Sequence, residues 1–266
     1  MATVLARDPP ARAAEAATAV TLSEVDGVRY LHFGTEWVQG AMRLALPYRL
    51  ELEYQQQMMA PLLFVPQPDQ VLQLGLGAAA LTKFCHRHLR RSRVLAVDID
   101  RTVIRVARQW FALPRDDARL RVVEADAATF VRRAPASTDW LQVDLYDAQA
   151  RGPVLDDADF YRACRAALRD GGVAAFNLFG RSLRPSLRAI EAAFGRRWLR
   201  LPRSAAGNTV VLAFCGAPVE WDTDALQVRA QKMERRFGLP ALSWLRGLRS
   251  ASARRLSLRS GLRMIL

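Results

Sequence analysis

The stretch Val71-Leu72-Gln73-Leu74-Gly75-Leu76-Gly77-Ala78-Ala79-Ala80, with the Val97-Asp98-Ile99-Asp100 that follows it, constrains the fold more than any other part of the chain. Val71 to Leu74 reads as a buried strand that enters a tight Gly-x-Gly turn and then a helix of small residues. Glycines at 75 and 77 allow a sharp turn and leave no side chain between the backbone and a ligand. Val94 to Val97 reads as a second apolar strand, ending on a carboxylate suited to ribose hydroxyls. An acid about 20 positions after the glycine turn is the expected partner in a nucleotide-binding unit. A plain strand–turn–helix with Asp98 as a helix cap is the competing interpretation, and turn and acid together favour a nucleoside site.

The chain after this point alternates strand and helix. Strands are expected near 71–75, 94–98, 120–124, 141–145, 172–178 and 209–214. The clearest helical pattern runs from Thr102 to Ala112, where Val103, Ile104, Ala107, Trp110 and Phe111 share a face. Such alternation predicts an α/β fold, a doubly wound Rossmann-like sheet of the class I methyltransferase type. Asp98, Asp126, Asp144 and Asp147 all fall at the carboxyl ends of strands, where these sheets bind ligands. Gly171-Gly172 is expected to end a helix before the strand Val173 to Phe176, and a helix from Ser186 to Arg196 to follow.

Ahead of the glycine turn, Asp26-Gly27 between two apolar runs signals a hairpin over Val20 to Phe33. A further strand is expected through Trp37, Val38 and Met42, making a small β lid too small to stand alone. Leu50, Tyr54, Met58 and Leu62 recur at helical spacing and predict a linking helix from Leu50 to Leu63, with Gln55, Gln56 and Gln57 on a solvated face. The expected division is a disordered tail over 1–19, the β region and linking helix over 20–65, the main domain over 66–217 and an Arg-rich extension over 218–266.

The net charge of +13 is unevenly spread: residues 229–263 carry nine Arg and one Lys against the single acid Glu234, leaving only +4 for the rest of the chain. Basicity therefore describes the C-terminal extension rather than the body. There Phe237, Leu239, Leu242, Trp244, Leu245 and Leu248 interleave with arginines. A helical appendage packed on the body is favoured over a nucleic-acid or membrane-surface contact. Cys85, Cys164 and Cys215 are odd in number and far apart, which fits reduced thiols rather than disulfides or a zinc site. His86 and His88 have no third ligand nearby and are read as surface residues, so no metal is expected. No apolar run approaches the ~20 residues of a membrane span, and the first residues lack a signal-peptide core, so a cytoplasmic protein is expected.

The order of motifs is informative: Leu52-Glu53-Tyr54-Gln55-Gln56-Gln57-Met58-Met59, the glycine turn, Val97-Asp98-Ile99-Asp100, Glu124-Ala125-Asp126-Ala127, Asp144-Leu145-Tyr146-Asp147, Gly152-Pro153, and Phe160-Tyr161 before Gly171-Gly172. In this order and spacing the chain resembles the spermidine/spermine synthase family of polyamine aminopropyltransferases over about residues 20 to 215. The resemblance implies aminopropyl transfer from decarboxylated S-adenosylmethionine, a co-substrate rather than a prosthetic group, to a small-molecule amine, with a homodimer expected. It also implies roles: Asp144 as general base, Asp147 and Tyr54 holding the amine, and Gln55, Gly75, Gly77, Asp98, Asp126 and Ala127 around the nucleoside. Asp98 stands for a family Glu one methylene longer. Two positions depart: Ala78 stands where the family has an Asp that touches the aminopropyl amine, and Gln56 where it has Glu. The Pro that usually follows the second Asp is Ala148.

The chemistry suits these residues. The nucleophile must be a neutral amine, yet polyamines are cationic at pH 7, so a carboxylate must attract the amine and take its proton. The sulfonium leaving group needs no acid. Two other classes stay open: an S-adenosylmethionine-dependent methyltransferase using the same turn and Asp98, and a non-catalytic nucleoside-binding or scaffold protein acting through its basic end.

Overall fold

The structure, a computed structural model, describes residues 20–147, 152–180, 182–217, 220–250 and 263–265. The expected tail over 1–19 and Ala148 lie outside these residues. Strands β1 (Val20–Val25), β2 (Val28–Phe33) and β3 (Gly40–Arg43) form an antiparallel sheet, with the hairpin at Asp26-Gly27. Trp37 and Val38 are not in a strand. They sit exposed in the connection before β3, because the pairing with β2 begins only at Gly40. Leu31 and Met42 of this sheet are buried against Ala78 and Phe111 of the main domain, so the small sheet borrows its core from its neighbour.

The linking helix is broken rather than continuous. Helix α1 spans only Glu53–Gln57, and a 3-10 turn over Ala60–Leu63 follows, with Pro61 entering it. Proline has no amide hydrogen to continue the ladder, so the helix stops short of it. Gln55 and Gln57 are buried, contrary to the solvated face expected of the glutamine run.

The main sheet is built from β4 (Gln70–Leu74), α2 (Ala80–His88), β5 (Arg93–Asp98), α3 (Arg101–Trp110), β6 (Leu120–Glu124), α4 (Ala127–Arg132), β7 (Thr138–Val143), α5 (Ala158–Ala167), β8 (Leu168–Phe179), α6 (Arg184–Phe194), β9 (Trp198–Arg200) and β10 (Asn208–Phe214). After these come β11 (Glu220–Asp222), α7 (Thr223–Phe237), α8 (Ala241–Gly247), β12 (Arg249–Ser250) and β13 (Arg263–Ile265). Across the sheet the order is β6-β5-β4-β7-β8-β10-β9-β12, parallel from β6 to β8 and antiparallel from β8 outward. This is the expected α/β Rossmann-like sheet. The chain runs outward from β4 in one direction and then in the other, so the topological switch lies between β4 and β7. Gly171-Gly172 does not end a helix: α5 stops at Ala167 and both glycines lie inside β8. The backbone of Gly172 packs close to Asp139 and Arg169 there, leaving no room for a side chain.

A sheet of this kind must be covered on both faces. Leu72, Leu74, Val97, Leu141, Val143, Phe176 and Val211 face α4, α5 and α6, while Val71, Val94, Ala96, Trp140, Val173 and Leu212 face the other way. That second face is closed partly by Leu226, Ala230, Met233, Trp244, Leu245 and Leu248 of the C-terminal extension. Arg229 donates to the Leu63 carbonyl (2.9 Å) and Arg236 to that of His88 (3.0 Å), so two of its arginines hold the body. His86 and His88 are half-buried rather than on the surface: His86 bonds Asp117 (2.9 Å), and the His88 ring lies against Phe84 and Phe237. Cys85 and Cys164 are buried, Cys215 is half-buried and all three are free. No helix among the described residues is long and apolar enough to cross a membrane.

Lys83 of α2 is buried, and its ammonium donates to the carbonyl of Phe111 (2.6 Å), just beyond the end of α3. Burial pushes it down to about 7. From the other side, Arg29 of β2 donates to the Trp110 carbonyl (2.5 Å), so both the lid and α2 are pinned to the same helix end.

Candidate active site

A cavity of about 1090 Å³ opens at the carboxyl ends of β4, β5 and β7, between the main sheet and the connection from β2 to β3. Its floor is set by one close approach. The Asp144 amide donates to the Leu74 carbonyl (2.9 Å), and Gly75 donates to Val97 (2.8 Å), so three strand ends meet at the glycine turn. Gly75 has φ +88°, and a Cβ there would lie 2.1 Å from the Asp144 carbonyl oxygen. Only glycine permits both the conformation and the contact.

At the end of the cavity formed by the glycine turn and β5, Gly75, Gly77, Asp98, Asp126 and Ala127 all line the wall. Asp98 accepts from the amides of Leu76 (2.8 Å) and Asp100 (2.9 Å), so it clasps the glycine turn to the end of β5. Burial raises its carboxyl above the ordinary range, and the backbone donors of Asp100, Leu76 and Gly77 pull the other way. Each carboxylate oxygen has more than one lone pair, so these bonds still leave capacity for ribose hydroxyls. Asp126 caps α4 through Thr129 (2.8 Å).

The other end is organised by Asp144. It is half-buried, and its Oδ1 accepts from Asn177 Nδ2 (2.9 Å). The Tyr54 hydroxyl, from α1, faces the same carboxyl and favours its ionised form. Burial pushes the carboxyl up to about 6, partly offset by these two donors. Asn208 at the start of β10 donates to Asn177 Oδ1 (3.1 Å), and Tyr146 donates to the Asn177 carbonyl (3.2 Å). The amide that faces Asp144 is thereby held in one orientation. Burial raises the Tyr54 and Tyr146 hydroxyls, with the Asp144 charge next in importance, so both stay protonated donors. Asp147 also lines the cavity, and Gln39 reaches its carbonyl (3.4 Å).

The cavity thus brings together Tyr54, Gly75, Gly77, Asp98, Asp126, Ala127, Asp144 and Asp147. Gln55 lies behind the wall: its amide nitrogen is 3.5 Å from the Tyr54 hydroxyl, and its buried Oε1 has no partner among the described residues. Sequence reasoning gave no site role to Asn177, Asn208, Glu36 or Glu53. An asparagine within an apolar strand was the only available signal for Asn177. Ala78 is not part of the wall. It is 2% exposed, under the lid, and a Cβ on Gly40 would lie 2.5 Å from its own. Gln56 donates to the Leu50 carbonyl (2.9 Å), a structural bond.

The electrostatics are one-sided. Among the described residues, seven carboxylates line the cavity: Glu36, Glu53, Asp98, Asp100, Asp126, Asp144 and Asp147. No Lys, Arg or His among the described residues lines it, on a chain of net charge +13. Low-dielectric walls focus such a field and raise the local concentration of cations. No group of His, Cys, Asp and Glu able to hold a metal occurs among the described residues.

Residues 51–177, from α1 through most of β8 and so across both ends of this cavity, match the spermine/spermidine synthase domain. A polyamine aminopropyltransferase of Neisseria meningitidis is 34% identical over 236 residues, covering 88% of this chain and 90% of that one. A probable spermidine synthase from Corynebacterium glutamicum superposes with a TM-score of 0.70 at 19% identity, over 93% of this chain and 96% of the other. Human methyltransferase-like protein 13 in complex with SAH also shares the fold (TM-score 0.59, 25% identity), over 69% of this chain and 91% of its own. Likeness to the Neisseria protein runs nearly end to end in both chains, and with it the chain belongs to the spermidine/spermine synthase family of polyamine aminopropyltransferases.

Proposed function

We propose that the chain transfers an aminopropyl group from decarboxylated S-adenosylmethionine to a small cationic amine of the polyamine type. The observation that carries this reading is the cavity to which the described residues supply seven carboxylates and no cation. Both reactants are cations there: the donor is a sulfonium bearing an ammonium, and the acceptor carries at least one further ammonium. The same field argues against ordinary S-adenosylmethionine, whose carboxylate would face like charges with no described cation to pair it.

In the proposed reaction Asp98 and Asp126 hold ribose and adenine over the glycine turn, with Gly77 and Ala127 forming the wall and Gln55 supporting it through Tyr54. Asp147 and Tyr54 orient the acceptor. Its attacking nitrogen gives a proton to Asp144 and its lone pair forms a bond to the carbon next to sulfur. The carbon–sulfur bond breaks, its electrons neutralise the sulfonium, and methylthioadenosine leaves. Positive charge is consumed at sulfur and ends as the proton on Asp144, so no acid is required. Glu36 and Glu53 stand at the cavity in place of the carboxylates missing at 78 and 56, and they attract the remaining ammonium groups.

Calorimetry against decarboxylated S-adenosylmethionine, S-adenosylmethionine and methylthioadenosine tests the reading. The decarboxylated donor is expected to bind at least about tenfold more tightly than S-adenosylmethionine, the size of effect of one unpaired like-charge contact. A reversed order would move the assignment to methyl transfer. Absence of turnover with putrescine, spermidine and cadaverine alike would leave the fold without the reaction. We take the working unit to be a homodimer. Leu22 and Val25 of β1 and Leu44 and Leu46 after β3 are exposed apolar side chains of the small sheet and its exit, of the kind a second copy would cover. Sedimentation at micromolar concentration should show a species of twice the chain mass, and a monomer there would remove the claim.

A further inference from the structure

A second cavity, of about 460 Å³, opens where the end of β8, the start of α6 and the β9–β10 connection meet the edge strand β12. Four arginines line it: Arg184, Arg200, Arg203 and Arg249. Among the described residues no carboxylate and no aromatic ring lines it. Other arginines of the fold are paired with acids, as in Arg29–Glu24, Arg43–Glu51, Arg108–Asp116, Arg162–Asp159 and Arg169–Asp139.

The ladder makes the cluster more than a local excess of charge. Arg200 of β9 and Arg249 of β12 are directly opposite in the antiparallel pairing, so their side chains leave the same face of the sheet. Like charges in that position repel and weaken the strand pair. Both are only half-exposed, which limits relief by water. Arg203 is tethered by its Nε to the Gly207 carbonyl (3.0 Å), at the turn of the connection. The 11-residue helix α6 starts at the same cavity: its cap, Leu183, makes no side-chain bond to the free amides, and Leu183, Arg184 and Leu187 line the wall. The partial positive charge of that helix start adds to the four guanidinium groups.

We propose that this cavity binds an anion made of two or three linked phosphoryl groups. Guanidinium forks match phosphoryl oxygens bidentately, and four of them, on α6, β9, the β9–β10 connection and β12, need more than one phosphoryl group to engage together. The small volume and the lack of stacking rings fit a compact oligophosphate rather than a single-stranded nucleic acid, which uses a long groove with aromatic platforms. The site does not depend on the reaction assigned to the main cavity. Bound anion neutralises the Arg200–Arg249 repulsion and locks β12 onto β9.

The test is calorimetry of the full chain with inorganic tripolyphosphate, pyrophosphate, orthophosphate and ATP. Tripolyphosphate and pyrophosphate are expected to bind one per chain, at least about tenfold more tightly than orthophosphate. The double substitution Arg200→Gln/Arg249→Gln should weaken tripolyphosphate at least about tenfold, and Arg203→Gln on the exposed connection several-fold. Arg162→Gln, on α5 and outside the cavity, should change nothing. Without ligand, the double variant should melt no lower than the parent, because a repulsion has been removed; if it fails to fold, Arg203→Gln alone decides. ATP equal to tripolyphosphate assigns recognition to the phosphoryl chain. Tighter ATP, weakened by Arg203→Gln, assigns it to a nucleotide tail. The proposal falls if no saturable binding occurs at millimolar pyrophosphate or tripolyphosphate, or if Arg162→Gln weakens binding as much as Arg203→Gln. It also falls if an RNA oligonucleotide binds more tightly than tripolyphosphate and is weakened by the same substitutions.

Discussion

Replacing Asp144 by Asn should lower kcat for aminopropyl transfer by about 10²- to 10⁴-fold, the usual contribution of a positioned general base. Donor affinity should stay within a few-fold, because in the proposed reaction Asp144 serves the amine while Gly75, Asp98 and Asp126 hold the nucleoside at the other end of the cavity. The amide keeps the shape and the contact with Asn177 but cannot take a proton. The pH profile gives an independent reading. The carboxyl is pushed up to about 6 by burial, and only its ionised form is a base. The rate should therefore fall about tenfold per pH unit below about 6, and the Asp144→Asn variant should lose that limb. Removing the donor Tyr54 as Phe should move the limb upward, since one bond that favours the charged form is gone.

Stability should move the opposite way to activity. A carboxyl whose folded pKa lies above its unfolded value of 3.8 favours folding less once it ionises. The penalty is absent below about 3.8, grows as pH rises toward 6 and is fully present above. About two pH units correspond to roughly 3 kcal/mol as an upper figure. The Asn variant should accordingly melt at or above the parent at pH 7, while turning over far more slowly. A variant that is both inactive and destabilised would make Asp144 a structural residue.

What the sequence made legible follows from which signals are local. A Gly-x-Gly after an apolar strand, and acids at the ends of later strands, each speak through their own few residues. Alternation of strand and helix then decides the side of the sheet on which they gather. Asn177 and Asn208 carry no such signal. They act through a cross-strand chain that ends on Asp144, and which strand ends are neighbours is set by the order β4-β7-β8-β10 rather than by spacing. Lys83 was equally silent, because the carbonyl it caps lies 28 residues away. The linking helix was overestimated from its apolar period, which Pro61 overrides. The glycine pair at 171 and 172 carried a helix-stop signal but lies inside a strand, where a positive φ at 171 and close packing at 172 call for glycine. Ala78 shows the reverse case: sequence marked it as a loss from the site, and the fold buries it beneath Gly40 and outside the cavity wall.

Gly75→Ala should be the most damaging single-methyl change in the main domain, and Gly171→Ala its control. Both glycines have positive φ, +88° at 75 and +77° at 171, so both substitutions meet the left-handed penalty of roughly 1–2 kcal/mol. At 171 a Cβ would have nothing within 4 Å. At 75 it would lie 2.1 Å from the Asp144 carbonyl oxygen and 2.9 Å from its carbon, backbone against backbone with no flexible side chain to yield. Relief requires the glycine turn to shift away from the end of β7, which breaks the bond from Asp144 to Leu74 on one side and pulls on the bond from Gly75 to Val97 of β5 on the other. Disruption of those two bonds and the displaced packing add roughly 2–4 kcal/mol to the shared φ penalty. Denaturant unfolding should show Gly171→Ala lower by about 1–2 kcal/mol and Gly75→Ala by about 3–6, a large part of the whole stability of a domain. Any Gly75→Ala that remains folded should carry Asp144 out of place and lose transfer about 10²-fold, as a shift of about 1 Å at a reacting group does. Equal losses for the two alanines would mean that the close approach at Gly75 does not hold the site together.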